Sequence, residues 1–227
     1  MQLTEQIAES KRAGFIGMDI PWMLEQWVSK SPDKTMMTWE PFSGAAKSWT
    51  YREFSKDARR FAKGLSDLGI KQGDFVIIHL DNSPEFMTAW FACAYLGAVA
   101  VSTNTRCVAR DLEYFSDHTS AVCAITQLGY AEMIASACKV EHFIGTDNDT
   151  GDSASLPEGK GYLAFAEVYA DEELPLRDPD PMLNLSVQFT SGTTSRPKAV
   201  LWTHANGLWA ARTGAAHLKL RSDDSTL

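Results

Sequence analysis

Between Phe75 and Thr146 the chain alternates short apolar runs with helical stretches, and this alternation limits the fold more than any other feature of the sequence. Phe75 to Leu80 reads as a buried strand, and Ser83-Pro84-Glu85 supplies an N-cap and a first-turn proline for a helix through Leu96. Ala98 to Ser102 is extended, Arg110 to Ser116 helical and Ala121 to Thr126 extended. Tyr130 to Cys138 is helical and Val140 to Thr146 extended. A βαβαβαβ rhythm of this kind calls for parallel strands joined by crossover helices. The expected class is α/β, a mostly parallel sheet with helices on both faces.

The segments on either side fit the same class. Pro21 to Lys30 is a short Trp-containing helix, and Thr35 to Glu40 with Lys47 to Tyr51 form a hairpin around Pro41, Ser43 and Gly44. Thr50-Tyr51-Arg52-Glu53 has the form of a capping box, and Phe54, Ala58, Phe61, Ala62 and Leu65 recur at helical spacing up to a stop at Gly69. A helix over 51–68 is expected. Asp147 to Gly161 reads as an exposed loop, and Asp171 to Pro181, with its acids and prolines, as a soluble connector. The expected organisation is an N-terminal helix and hairpin (1–50), a βαβ-type subdomain (51–170), the connector (171–184) and the start of a second subdomain (185–227). That last part has strands at Leu185–Phe189 and Ala199–Trp202 and a helix from Ala205 to Leu220.

Charge and cysteine content remove several functions. With 21 Lys+Arg against 29 Asp+Glu, the formal charge is −8, which leaves no general basic field for nucleic acid or an anionic membrane. Cys93, Cys107, Cys123 and Cys138 form no C-x-x-C pair and read as reduced, mostly buried thiols. The first twenty residues carry Glu5, Glu9, Lys11, Arg12 and Asp19 and contain no apolar signal core. The longest apolar stretch, Phe86 to Val101, is shorter than a membrane span and is interrupted by Tyr95 and Gly97. A cytoplasmic chain without a membrane span is expected.

One segment carries chemistry. Thr190-Ser191-Gly192-Thr193-Thr194-Ser195 places five hydroxyls around one glycine, and Arg196-Pro197-Lys198 adds two cations, all between two apolar strands. Small residues let backbone N–H groups converge, hydroxyls follow the oxygens of an anion, and the cations supply charge; the composition fits a polyphosphate cradle. A polar hairpin turn that satisfies its own backbone accounts for the same composition equally well. The segment is not a Walker loop, because Pro197 stands where that loop has its second glycine, and no G-x-G-x-x-G follows a strand.

The string from Phe189 to Val200, F-T-S-G-T-T-S-R-P-K-A-V, resembles the signature of the adenylate-forming superfamily: acyl-CoA synthetases, luciferases and nonribosomal-peptide adenylation domains. The usual pattern is [YF]-T-S-G-T-T-G-x-P-K-G-V, and Ser195 and Ala199 depart from it at the two later glycines. Trp49-Thr50-Tyr51-Arg52-Glu53, Gly73-Asp74-Phe75-Val76, Asn82-Ser83-Pro84-Glu85-Phe86 and Gly97-Ala98-Val99 resemble further landmarks of that family in the expected order, so the resemblance spans 22–220. His79-Leu80-Asp81-Asn82 together with Thr194 to Lys198 is similar to crotonobetaine/carnitine-CoA ligases and related acyl-CoA synthetases.

The resemblance implies an acid-CoA ligase that uses ATP, Mg2+ and CoA. A carboxylate attacks the α-phosphorus of ATP, and CoA then displaces AMP from the acyl-adenylate. It assigns phosphate binding to Thr190, Ser191, Gly192, Thr193, Thr194, Ser195 and Lys198, with small carboxylic acid and CoA as partners. Family members are more than twice as long, and their adenine, ribose and magnesium motifs and catalytic lysine lie downstream. No catalytic or metal-binding residue is therefore assigned here, and the chain is expected to be an N-terminal portion, inactive alone. The alternative is a naturally short, non-catalytic protein that binds phosphate or a partner; the oligomeric state is left open, with a homo-oligomer among the possible partners.

Other residues have plain structural readings. The five histidines form no metal-ligand pair, and Thr203-His204-Ala205-Asn206 fits an N-cap. Arg59, Arg60, Arg106 and Arg110 read as solvated, and Trp202 with Trp209 as core. Gly207 and Gly214 are read as marking close packing of their helix.

Overall fold

The computed structural model describes residues 14–41, 44–147, 161–190 and 196–225. Helix α1 (Ile20–Lys30) precedes an antiparallel hairpin of β1 (Thr35–Trp39) and β2 (Lys47–Thr50). The chain then runs through α2 (Tyr51–Asp67), β3 (Phe75–His79), α3 (Pro84–Leu96), β4 (Val99–Ser102), α4 (Ala109–Thr119) and β5 (Cys123–Gln127). It continues with α5 (Ala131–Ala137), β6 (His142–Thr146), β7 (Tyr162–Ala164), the short α6 (Phe165–Val168), β8 (Asn184–Thr190), β9 (Lys198–Thr203) and α7 (His204–Leu218).

The local signals act as their chemistry requires. Thr50 accepts from the Glu53 backbone N–H at 3.2 Å, and the Glu53 carboxylate accepts from the Thr50 N–H at 2.9 Å, closing the capping box that starts α2. Ser83 caps α3 through the Phe86 N–H at 3.2 Å, with Pro84 in the first turn. Gly97 ends α3 in the left-handed region at φ 79°, where a side chain would also meet Gln72. Helix α4 starts earlier than its sequence suggests, because Val108 at its N-cap makes no side-chain bond and Asp111 instead accepts from the Val108 N–H.

Seven strands form one sheet in the order β7-β6-β5-β3-β4-β8-β9, parallel except for β9. Counted from β3, the first five strands run 2-1-3-4-5, so the winding direction reverses beside β3. One face buries Val76, Ile78, Ala100, Ile125 and Ile144 against Phe54, Phe61 and Leu65 of α2, Ala92 of α3 and Leu208 of α7. The opposite face buries Ile77, Val101, Ala124 and Val187 against Leu112 and Phe115 of α4 and Ile134 of α5. The mostly parallel α/β sheet with helices on both faces is thus present. Strand β8 follows the acidic connector yet pairs with β4, which precedes it, so residues on both sides of 171–184 share one sheet.

The connector is held in place through charge, which corrects its reading as a free linker and the reading of Arg59 and Arg60 as solvated. Arg59 donates to the Leu174 carbonyl at 3.0 Å and pairs with Glu173 at 2.6 Å, and Arg60 donates to the Ala170 carbonyl at 2.7 Å. Further along, Arg177 pairs with the buried Asp19 at 2.7 Å and donates to the Ala94 carbonyl. His204 is fully buried beside this pair, and its Nδ1 accepts from the Ile20 N–H at 3.2 Å, tying α1 to α7. Thr203 caps α7 through Asn206, as its sequence suggests. A side chain at Gly207 would press on Leu185 and Ile20, so this glycine does mark close packing, whereas Gly214 faces open space.

Candidate phosphate site at the carboxyl edge of the sheet

Because six strands run in one direction, their carboxyl ends share one edge of the sheet, and ligands of doubly wound sheets bind outside that edge. The strands that flank the hydroxyl-rich segment meet at this edge. The segment joins the carboxyl end of β8 to the start of β9, where Thr190 faces Lys198 in antiparallel register and Phe189 faces Ala199. The Thr190 hydroxyl donates to the Lys198 carbonyl at 3.4 Å. Ser191, Gly192, Thr193, Thr194 and Ser195 lie outside the described residues. Of the expected phosphate-binding set, the structure therefore places Thr190 and Lys198, one on each strand of the hairpin.

Both are exposed, and Lys198 forms no ion pair among the described residues, so its ammonium is open to an anion. Ala199 lies in the paired part of β9 and is exposed there, so its methyl does not hinder the β8–β9 pairing. The root of the hairpin is fixed by aromatic packing: Phe189 stacks on Phe115 of α4 with ring centroids 3.9 Å apart. The hairpin thus presents an exposed ammonium on β9 opposite a hydroxyl on β8 that is held by a long bond to the Lys198 carbonyl. No group of three or more His, Cys, Asp or Glu among the described residues could hold a metal ion.

Along the same edge, at the ends of β4, β3 and β5, runs a partly buried polar network. His79 at the end of β3 is fully buried; its Nδ1 lies 2.7 Å from the Thr103 hydroxyl, and its Nε2 has no partner among the described residues. Burial holds its pKa down to about 4 against the opposing pull of Asp81, so the ring is neutral at physiological pH. Asp81 accepts from the hydroxyls of Thr105 at 2.8 Å and Tyr130 at 3.1 Å, while the Asp81 N–H donates to the Gln127 side chain. Beyond the reversal point, a cavity of 900 Å³ opens at the ends of β3, β5 and β6, walled by Trp39, Trp49, Phe165 and Tyr169 and containing Asp57, Glu85 and Lys47. The Lys47 ammonium sits 4.4 Å from the Trp49 ring centroid.

The remaining readings separate cleanly. All four cysteines are free, and three are buried; burial raises the Cys93 thiol to about 12 and Cys138 to about 11, so neither is a thiolate nucleophile. Trp209 is 57% exposed, which corrects its reading as core: with Trp202, Val200 and Leu201 it lines an apolar groove between β9 and α7. Arg106 and Arg110 are exposed, as their sequence context suggests. The contacts of Arg59, Arg60 and Phe189 could not be read from sequence, because each partner lies far along the chain. No helix among the described residues is long and apolar enough to cross a membrane.

The chain is 32% identical over 199 residues to the crotonobetaine/carnitine–CoA ligase of Escherichia coli O127:H6, a match covering 84% of this chain and 37% of that protein. It is 31% identical to the same enzyme of Shigella flexneri serotype 5b, again over 84% of the chain and 38% of the relative. The chain thus spans under two fifths of the length of these relatives. The fold matches the anthranilate CoA ligase AuaEII solved with anthranoyl-AMP, at a TM-score of 0.75 and 24% identity over 87% of this chain and 37% of that one. It also matches a putative long-chain-fatty-acid CoA ligase from Rhodopseudomonas palustris CGA009, at 0.76 and 20% identity over 92% of this chain and 50% of that one. Residues 24–227 match the family model described as AMP-binding enzyme, and the chain belongs to that family.

Proposed function

We propose that this chain is the phosphate-holding N-terminal part of an ATP-dependent acid–CoA ligase. The observation that carries the reading is the β8–β9 hairpin, which presents Thr190 and Lys198 at the carboxyl edge of a parallel sheet within a family match over 24–227. In the reaction, a carboxylate oxygen attacks the α-phosphorus of ATP, the bond to the bridging oxygen breaks, and pyrophosphate leaves with that electron pair. The CoA thiolate then attacks the acyl carbon and AMP departs. Thr190, Ser191, Gly192, Thr193, Thr194 and Ser195 would donate to phosphate oxygens, and Lys198 would hold charge on the leaving pyrophosphate. The attacking carboxylate is already ionised at neutral pH, so the hairpin's part is positioning and charge, without proton transfer.

Magnesium would neutralise the triphosphate. Carnitine-type acids, named for the relatives at 31–32% identity, are the first carboxylates to test. We place the reaction in the cytoplasm, divide the chain at the 171–184 connector, and take the 227-residue chain alone to be inactive. In a relative-length protein containing this segment, pyrophosphate release from ATP, magnesium and a carboxylic acid is expected to fall at least ten-fold with Lys198→Ala. An unchanged rate would remove Lys198 from the mechanism.

The exposed groove of Val200, Leu201, Trp202 and Trp209 favours a second reading, in which the chain acts alone as a non-catalytic phosphate- or partner-binding protein that self-associates. Sedimentation velocity across a concentration series tests the second reading, which a strictly monomeric chain contradicts.

A further inference from the structure

We propose that Tyr114 of α4 is the positioning residue of the phosphate hairpin, a role that rests on the phosphate reading above. Its hydroxyl donates to the carbonyl oxygen of Pro197, directly before Lys198, at 3.1 Å. Its ring carries the Arg196 guanidinium 5.5 Å from the centroid. The other strand of the hairpin meets the same helix. Phe189, directly before Thr190, packs edge-on against Tyr114 at 6.0 Å and against His118 at 6.0 Å, and stacks on Phe115. Tyr114 and His118 are one helical turn apart, so a single stretch of α4 grips both strands immediately behind the two residues that face the anion.

The hairpin needs such a grip. Among the described residues, strand β9 is at the edge of the sheet, antiparallel to β8, and Lys198, Ala199, Val200 and Leu201 are all exposed. Two-stranded pairing alone defines a tip poorly, and the side-chain bond from Thr190 to the Lys198 carbonyl is long. Hydroxyls and an ammonium bind a triphosphate well only when their spacing is set in advance, since each group ordered on binding subtracts from affinity. Helix α4, packed on the sheet by one face, supplies that order: Leu112 and Phe115 lock it onto the sheet, and Tyr114 transmits its position to Pro197. The Tyr114 contribution is therefore to the spacing of Thr190 and Lys198, and it does not itself touch phosphate.

The test compares the 227-residue chain with Tyr114→Phe and, as a control for general loss of a tyrosine hydrogen bond, Tyr162→Phe, whose hydroxyl donates to the Ala131 carbonyl near the far edge of the sheet. Two quantities are measured: affinity for inorganic tripolyphosphate with magnesium, and amide exchange of 189–190 and 196–203. Tyr114→Phe is expected to weaken tripolyphosphate about five-fold, the value of one net hydrogen bond, and to speed exchange in those residues. Tyr162→Phe is expected to leave both at the wild-type level. The proposal is overturned if Tyr114→Phe changes neither quantity, or if Tyr162→Phe changes both as much. If the wild-type chain binds no tripolyphosphate, the phosphate reading fails separately, and exchange alone decides: faster exchange in Tyr114→Phe keeps the anchor, unchanged exchange removes it.

Discussion

Two residues face each other across the hairpin root, Thr190 and Lys198, and their exposure sets what the site can do. An unpaired ammonium on the surface contributes little to folding, so its removal is expected to leave stability within about 0.5 kcal/mol while any anion affinity it supports is lost. The buried histidines behave in the opposite way. His79 and His204 are both fully enclosed, and burial holds each near a pKa of about 4, well under the ordinary 6.5. For His204, Asp19 and Asp180 oppose the shift and Arg177 adds to it. Between those values the unfolded chain binds protons that the native state does not, so stability is full above about pH 6.5 and is lost as pH falls toward 4. Urea midpoints measured across that range should decline, and the decline should be shallower in His204→Gln; an equal slope would show that His204 takes its proton without cost. The sequence identified His204 as part of an N-cap but gave no sign of its bond to the Ile20 N–H, because that partner is 184 residues away.

At the scale of elements, local chemistry was largely legible, and contacts between distant elements were not. The capping box at Thr50, the Ser83-Pro84 start and the Gly69 stop depend only on neighbours, and each is found where the sequence places it. The start of α4 was displaced because no capping side chain marks it, and Arg59 and Arg60 were misread because their carbonyl partners lie more than a hundred residues on. Gly64 shows how tertiary packing overrides propensity. It lies inside α2, where alanine would ordinarily gain about 1 kcal/mol of helix stability. A methyl group there would fall 1.6 Å from the Val168 carbonyl oxygen at the end of α6. Gly64→Ala is therefore expected to destabilise by about 3 kcal/mol or more, the scale of severe overpacking, as read from denaturant unfolding. A neutral or stabilising effect would mean that α6 does not pack on α2 as described. By contrast, Thr50→Ala should cost about 1 kcal/mol, the ordinary value of a lost N-cap.

Across the whole molecule, the alternation of strands and helices established a parallel sheet but not its strand order. That order depends on which helices cover which face, and on the pairing of β8 with β4 across the connector. The result brings the hairpin, the His79 network and the aromatic-walled cavity to one edge. The hydroxyl-rich string was the most specific feature of the sequence, and its flanks pair as the β8–β9 hairpin that reaches that edge. The groove beside Trp209 was hidden from sequence because an exposed tryptophan and a buried one look alike without knowledge of what lies opposite.

The most direct test of the account is calorimetric titration of the 227-residue chain with magnesium-ATP, wild type against Lys198→Ala, with thermal unfolding of both. Saturable binding that weakens at least ten-fold in the variant at unchanged Tm is the predicted result. Equal affinity in the two proteins, or no binding in either, would contradict the assignment of the hairpin to phosphate.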